Sequence, residues 1–145
     1  MLGEVRDAAP TPATSIAIAT RLRKTCAADL VIAAMEMHEL RTRARDKFSQ
    51  ADKMWFTRDG LEQATSELIA AYRADRFVHA ADIADLCCGI GGDLLALAGQ
   101  ATEASVLAVD RDPLHLHIAG LNANVTGVGS RVSFVEADVR SVPLD

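Results

Sequence analysis

The pattern of apolar and polar residues along the chain changes near residue 80. Before that point the sequence is rich in Ala, Leu, Met, Arg and Glu, which favour helices. Helices are predicted over four ranges: 15–22, 27–40, 41–48 and 61–76. Residues 1–14, which include Pro10 and Pro12, are expected to be disordered. The first part of the chain is therefore predicted to be a helical segment over residues 15–79.

The helix predicted over 61–76 carries the clearest periodicity. Thr57 precedes it and is placed to act as its N-cap. Apolar residues recur at helical spacing and predict one buried stripe: Leu61, Ala64, Leu68, Ala71 and Tyr72. The bulky residues just before it, Met54 to Phe56, suit packing or contact with a partner.

After residue 80 the sequence alternates between short apolar runs and helical stretches. Strands are predicted over 83–87, 106–109 and 132–135. Helices are predicted between them over 93–99 and 113–124, the second with Pro113 in its first turn. Strands and helices that alternate at this spacing form parallel βαβ units. Residues 80–145 are therefore predicted to adopt an α/β fold.

Composition excludes several classes of protein. Of the 145 residues, 50% are hydrophobic and 24% charged, which is typical of a globular domain. The sequence contains no run of about 18 apolar residues that would predict a transmembrane helix. No secretory signal is expected at the N-terminus. The three cysteines, two of them adjacent, suggest reduced thiols in a cytoplasmic protein, and their spacing does not support a zinc site.

Charge is distributed unevenly along the chain. Residues 1–80 hold 12 basic and 11 acidic residues, whereas residues 81–145 hold 3 basic and 9 acidic residues, and together they give the net charge of −5. We call one run of cationic residues the basic segment: Arg41, Arg43, Arg45, Lys47, Lys53 and Arg58. It is either a solvated helix face or a surface that contacts the phosphates of RNA.

A glycine-rich loop follows the first predicted strand. It runs Asp85-Leu-Cys-Cys-Gly-Ile-Gly-Gly-Asp93 and leads into a helix, so its backbone can approach a ligand closely. Leu94 stands where the G-x-G-x-x-G fingerprint of dinucleotide sites needs a third glycine. No G-K-[ST] sequence follows, which excludes a P-loop. The carboxylate of Asp85 favours a ligand that carries an ammonium group over a pyrophosphate.

Two further acids follow the next two predicted strands. Asp110 can accept hydrogen bonds from both hydroxyls of a ribose. Asp138 can accept the amino group of an adenine, whose ring nitrogen the backbone N–H of Val139 can reach. One acid and one glycine loop followed by two more acids indicate a ligand built from an amino acid, a ribose and an adenine. S-adenosylmethionine has this composition.

At these residues the sequence resembles the class I S-adenosylmethionine-dependent methyltransferases, in particular the trimethylguanosine-synthase-like RNA methyltransferases. Residues 55–65 resemble the corresponding stretch of bacterial THUMP-like methyltransferases. The resemblance implies that Phe56 and Thr57 help to close the cofactor pocket. The complete set of expected cofactor-binding residues is Asp85, Cys87, Gly89, Gly91, Gly92, Asp110, Arg111, Asp138, Val139, Phe56 and Thr57.

The resemblance also implies a Rossmann-like sheet of seven strands, of which this chain would supply three and end before the fourth. The Asp-Pro-Pro-like or Asp-Pro-Ala-Arg motif that these enzymes carry after the fourth strand does not occur, so no catalytic residue can be named. We expect the N-terminal portion of a methyltransferase that acts on a base nitrogen of RNA. Two alternatives stay open. One is a non-catalytic module that binds S-adenosylmethionine or pairs with a partner along the exposed strand edge. The other, which Leu94 disfavours, is a nucleotide-dependent oxidoreductase.

Overall fold

The computed structural model describes residues 1–8, 10–11 and 13–142. The three strands are β1 (Asp82–Leu86), β2 (Ser105–Asp110) and β3 (Val132–Glu136). The helices are α1 (Leu2–Ala8), α2 (Ser15–Leu22), α3 (Ala28–Ala44), α4 (Arg58–Gln63), α5 (Glu67–Ala74), α6 (Gly92–Gln100) and α7 (Pro113–Thr126). The predicted α/β fold with a helical N-terminal segment is confirmed.

The three strands form one parallel sheet in the order β1-β2-β3. β2 lies in the centre, with Val106, Ala108 and Val109 almost completely buried. The register pairs Asp85 with Ala108 and Asp110 with Glu136. Because the strands are parallel, their carboxyl ends meet at one edge of the sheet. Within the described residues, β1 and β3 are the edge strands.

Helices α6 and α7 connect the strands and cover the sheet. Leu94 and Leu97 of α6 and Leu116 of α7 pack with Ile83 and Val106 in one apolar core. Asp112 caps α7 by accepting hydrogen bonds from the backbone N–H groups of Leu114 and His115, and Pro113 occupies the first turn as predicted.

The expectation of disorder over residues 1–14 is not met at Leu2–Ala8, which form α1. Val5 is completely buried and packs with Ile18 and Leu22 of α2 and Val31 of α3. Burial of this apolar face stabilises the short helix, which would be marginal on its own. The two helices predicted over 27–40 and 41–48 also differ from the structure, because α3 runs without a break from Ala28 to Ala44.

The single helix predicted over 61–76 is wrong. The chain forms α4 and α5, separated at Ala64, whose ψ of 135° is extended rather than helical. The predicted apolar stripe is wrong as well, since Leu68 is 79% exposed and Tyr72 is 72% exposed. The buried positions are Leu61 and, on α5, residues Ala70 and Ala74. Thr57 caps α4 as predicted, accepting the backbone N–H of Gly60 at 3.0 Å.

The helical segment and the sheet share a second apolar core. Apolar residues of the segment pack with Ile90 of the glycine-rich loop and with Ile118 of α7. They are Phe48, Met54, Phe56 and Leu61. Between residues 13 and 142, and in the two short described stretches before them, no helix has both the length and the apolar character needed to cross a bilayer.

Candidate functional site

A cleft of about 740 Å³ opens at the carboxyl edge of the sheet. The ends of all three strands and the connection between α4 and α5 contribute to it. Its charged lining residues are Asp85, Asp93, Asp110, Arg111, Asp112, Asp138 and Arg140. Five carboxylates against two guanidinium groups make the cleft acidic, and an acidic cleft concentrates cations.

The glycine-rich loop forms the floor of the cleft. The chain turns sharply after β1 through Cys87 with φ of 67°, Gly89 with φ of 55° and Gly91 with φ of 97°. These positive values are reached at little cost by glycine, whereas Cys87 is strained in this region. Gly91 then serves as the N-cap of α6, so the loop passes directly into a helix N-terminus.

Asp110, the last residue of β2, anchors this loop. Its Oδ2 accepts the backbone N–H of Gly89 at 2.7 Å, and its Oδ1 accepts the backbone N–H of Asp112 at 3.0 Å. Each carboxylate oxygen can accept a further hydrogen bond. The side chain therefore holds the loop in place and keeps acceptor capacity for a ligand in the cleft.

Asp85 lies near the end of β1 with one oxygen unsatisfied. Its Oδ2 is buried and has no hydrogen-bond partner among the described residues. The pKa of this carboxyl is raised to about 6. Burial is the main cause, repulsion by Asp93 and Asp110 adds to it in smaller measure, and the Leu94 backbone N–H partly offsets the increase. A buried charge without a partner is costly, so Asp85 is prepared to receive a cation or a hydrogen-bond donor.

Asp93, in the first turn of α6, has its partners in the helical segment. Thr65 donates its hydroxyl to Asp93 Oδ2 at 2.7 Å, and Arg73 donates from Nη1 to both carboxylate oxygens at 3.1 and 3.0 Å. Arg73 thus neutralises one of the acids near Asp85.

Residues of α4 and of its connection to α5 form a wall of the cleft that the sequence did not predict. Gly60, Gln63, Ala64 and Thr65 all line the cleft. Thr65 approaches Gly92 so closely that a Cβ on that glycine would lie 2.9 Å from the Thr65 backbone nitrogen. The Lys47 ammonium fixes the end of α4 by donating to the carbonyls of Leu61, Glu62 and Ala64 at 2.7 to 3.1 Å.

Asp138 and Val139 complete the cleft beyond β3. Both line it, but the Asp138 carboxylate already receives the guanidinium and the backbone N–H of Arg140. These hydrogen bonds lower the pKa of Asp138 to about 2. Asp138 is therefore ionised and held towards Arg140 in this structure.

The structure brings together eight of the eleven predicted cofactor-binding residues in the lining of the cleft: Asp85, Cys87, Gly89, Gly92, Asp110, Arg111, Asp138 and Val139. The other three lie behind it. Gly91 turns the loop, Phe56 is 3% exposed and packs against Phe48, and Thr57 caps α4 and hydrogen-bonds His115 Nε2 at 3.2 Å. Phe56 and Thr57 support the wall of the cleft without lining it.

Most of the basic segment already has partners within the chain. Arg41 stacks on Trp55 and donates to the carbonyls of Lys53 and Met54. Lys47 donates to the carbonyls at the C-terminal end of α4. The remaining ion pairs are Arg43 with Glu62, Arg45 with Asp52, and Arg58 with Glu36 and Glu39. Among the described hydrogen bonds and ion pairs, only the Lys53 side chain of this segment has no partner.

Two protein families match parts of the chain. Residues 83–145 match a family described as a methyltransferase domain, and residues 1–44 match a domain of unknown function (DUF8688). The methyltransferase match covers β2, β3, all of β1 except Asp82, and each carboxylate of the cleft.

Solved structures with a similar fold include a candidate methyltransferase from Porphyromonas gingivalis W83. It is 20% identical, with a TM-score of 0.63, and the alignment covers 80% of this chain and 30% of that one. The METTL16 methyltransferase domain matches at 12% identity with a TM-score of 0.49, over 77% of this chain and 46% of that one. The first similarity shows that the sheet and its helices have the Rossmann-like fold of a methyltransferase. This chain spans less than one third of the length of the Porphyromonas protein.

Proposed function

We propose that this chain binds S-adenosylmethionine in the cleft and provides the cofactor-binding part of a methyltransferase. One observation carries the proposal. Asp85, Asp110 and Asp138 each lie at or just beyond the carboxyl end of a parallel strand, and all three line one cleft together with a glycine-rich loop. The match of residues 83–145 to a methyltransferase domain supports it.

The unsatisfied oxygen of Asp85 fits the amino group of the cofactor. A carboxylate with a buried oxygen that has no partner gains most from a ligand that brings a positive charge and N–H donors. A nicotinamide dinucleotide would place an anionic pyrophosphate over this loop instead, beside the carboxylates of Asp85, Asp93 and Asp110. The acidity of the cleft therefore disfavours the oxidoreductase alternative.

The other two acids suit the nucleoside part of the cofactor. Asp110 keeps acceptor capacity on both oxygens for the ribose hydroxyls, while its existing bonds hold the loop. Asp138 and the backbone of Val139 are assigned to the adenine. Because Arg140 occupies Asp138, we expect the adenine amino group to share this carboxylate with the guanidinium or to displace it.

The bound cofactor would supply an electrophilic methyl group on a sulfonium ion. The contribution of this chain is to orient the cofactor, to favour its positive charge with an acidic cleft, and to hold the glycine-rich loop in one conformation. The proposed methyl acceptor is a base nitrogen of RNA. Its support is the resemblance of the loop from Asp85 to Asp93 to RNA methyltransferases. The basic segment supports it less than its charge suggests, since five of its six side chains have internal partners.

Calorimetric titration with S-adenosylhomocysteine tests the proposal. We expect saturable binding by the wild-type chain and binding weakened roughly 10- to 150-fold in Asp110→Ala, because hydrogen bonds to a charged group contribute about 1.5–3 kcal/mol. Asp82→Ala is the matched control, since Asp82 lies at the opposite end of β1 from the cleft. Equal binding by both variants, or saturable binding of NAD instead, would contradict the proposed function.

A second assay separates an enzyme from a module that only binds the cofactor. Transfer of a labelled methyl group from S-adenosylmethionine to RNA would support methyltransferase activity. Binding of S-adenosylhomocysteine without any transfer would favour the non-catalytic module.

A further inference from the structure

Asn122 is a polar residue on the buried, otherwise apolar face of α7. It is 0% exposed and is the one buried polar residue in the described part of the chain. Its sequence position near the end of a helix is typical of a capping or turn residue. The structure instead points its amide away from the end of α7 and into the interface between the helical segment and the glycine-rich loop.

The amide of Asn122 makes three hydrogen bonds to backbone groups far away in sequence. Its Oδ1 accepts the Trp55 N–H at 2.8 Å. Its Nδ2 donates to the Trp55 carbonyl at 3.0 Å and to the Ile90 carbonyl at 3.0 Å. Both donor hydrogens of the amide are therefore used, together with one of its acceptor positions.

Asn122 joins a residue that lines the cleft, Ile90, to a residue that precedes the cleft wall in sequence, Trp55. Ile90 lies in the loop between Gly89 and Gly91, both of which have positive φ. Trp55 leads into the segment that supports the wall, and Arg41 also contacts it, with its guanidinium 5.3 Å from the centre of the indole ring. A loop of this composition has high conformational entropy, and a buried anchor reduces what a ligand must order.

We propose that Asn122 is a positioning residue that holds the glycine-rich loop and the Trp55 segment in the arrangement that binds the cofactor. The role rests on the proposed function where it concerns affinity for the cofactor. It acts through the backbone of Ile90 and Trp55, because Asn122 does not itself line the cleft.

Hydrogen exchange in the ligand-free protein tests the anchoring alone. Asn122→Asp keeps the acceptor for Trp55 and loses both donors, and Asn122→Ala loses all three bonds. Val31→Ala is the control, a buried truncation in the apolar core of α1, α2 and α3, whose members include neither Trp55 nor a residue of the glycine-rich loop. We expect faster amide exchange at Trp55 and at residues 88–92 in the Asn122 variants than in the control. Equal exchange in both would overturn the proposal.

Binding of S-adenosylhomocysteine tests the consequence for the site. Trp55 is the single tryptophan of the chain, so its fluorescence reports directly on the segment that Asn122 holds. In the wild-type protein we expect ligand binding to change the Trp55 emission and to slow exchange of its N–H. In Asn122→Asp we expect the emission change to disappear and affinity to fall on the order of tenfold, while Val31→Ala keeps both the emission change and the affinity.

The outcomes distinguish this proposal from the proposed function. If the wild-type chain does not bind S-adenosylhomocysteine, the proposed function fails and the exchange comparison still decides whether Asn122 anchors the loop. If the wild-type chain binds and Trp55 does not respond, the role of Asn122 is overturned and the cofactor site stands. The wild-type measurements settle this point even where a variant does not fold.

Discussion

Gly60 of α4 lies directly against Ile90 of the glycine-rich loop. A Cβ atom on Gly60 would stand 2.5 Å from Ile90 Cγ2 and 2.6 Å from Thr57 Oγ1. Real Cβ atoms do not approach other atoms so closely, so only glycine fits at this point. The contact brings the helical segment against the floor of the cleft, and it makes the wall of the cleft sensitive to a single methyl group.

Gly60→Ala is expected to destabilise the protein by about 1–3 kcal/mol, because overpacking forces Ile90 or the capping Thr57 to move. Gly99→Ala is the control, since Gly99 lies exposed in α6 with no atom within 4 Å of an added Cβ. That change should stabilise the protein by about 0.5–1 kcal/mol, as alanine favours a helix interior. Urea unfolding of both variants measures the difference, and a neutral Gly60→Ala would contradict the close contact.

Asp85→Asn is expected to stabilise the ligand-free protein at pH 8. The pKa of Asp85 is raised from 3.8 to about 6 in the folded state, a shift of roughly two units that corresponds to up to about 3 kcal/mol. Above pH 6 the carboxyl is ionised in both states and the buried charge costs stability. Between about pH 6 and pH 4 the folded state alone takes up the proton, so this cost is relieved as the pH falls.

Thermal unfolding at pH 8 and pH 4.5 therefore provides the test for Asp85. The gain in unfolding temperature of Asp85→Asn over the wild type should be large at pH 8 and small at pH 4.5. Asp82→Asn should show no such dependence on pH. In the same variant, binding of S-adenosylhomocysteine should weaken, because the amide cannot form an ion pair with the ammonium group. A variant that is both less stable at pH 8 and unchanged in binding would be inconsistent with an unpaired buried carboxylate.

Arg73→Ala is expected to change the pH dependence of binding more than the stability. The Arg73 side chain is 55% exposed, so its ion pair with Asp93 contributes at most about 1 kcal/mol. Its loss leaves the Asp93 carboxylate uncompensated beside Asp85, which raises the pKa of Asp85 further. The pH below which binding weakens should therefore move upwards.

Arg76→Ala is the matched control for Arg73, because Arg76 contacts the exposed Tyr72 ring instead of an acid of the cleft. Calorimetric titrations between pH 5 and 8 compare the two variants. An identical pH profile for wild type and Arg73→Ala would show that Asp93 does not influence Asp85.

Cys87 is expected to react with iodoacetamide, and bound S-adenosylhomocysteine should protect it. Its side chain is exposed in the lining of the cleft. The neighbouring Cys88 is buried, and burial raises the pKa of its thiol to about 12, so it should stay unmodified. Mass spectrometry of a Cys26→Ser background identifies the labelled residue. Labelling of Cys88, or labelling of Cys87 that the ligand does not slow, would contradict the geometry of the loop.

The sheet and the acids at its carboxyl edge follow from short-range patterns in the sequence. Each strand is an apolar run bounded by a polar residue or a turn, and parallel pairing then brings Asp85, Asp110 and Asp138 to one edge. The glycine-rich loop was predicted for the same reason, because its residue types are required by the local backbone. These features depend little on the rest of the chain.

The wall of the cleft depends on contacts between residues that are distant in sequence. The helical periodicity of residues 61–76 predicts one continuous helix there and gives no sign of the break that forms the wall. Two hydrogen bonds hold the break at Ala64. Lys47 donates to the Ala64 carbonyl from 17 residues away in sequence, and Thr65 donates to Asp93, 28 residues away. Asn122 was equally hidden, because a buried asparagine has the same local surroundings in sequence as a capping one. The basic segment could not be assigned to either interpretation without its internal partners.

The parallel arrangement of the sheet has a consequence for how the chain folds. Asp82 pairs with Ser105 and Val106 pairs with Val132, so the paired residues lie 23 and 26 positions apart in the sequence. Parallel strands cannot be joined by a hairpin, so no hairpin can nucleate this sheet. The crossover that contains α6 or α7 must form a closed loop before the strands on either side of it can pair. Refolding kinetics should therefore be governed by the entropy of closing these two crossovers, with β2 joining its neighbours late rather than at the start.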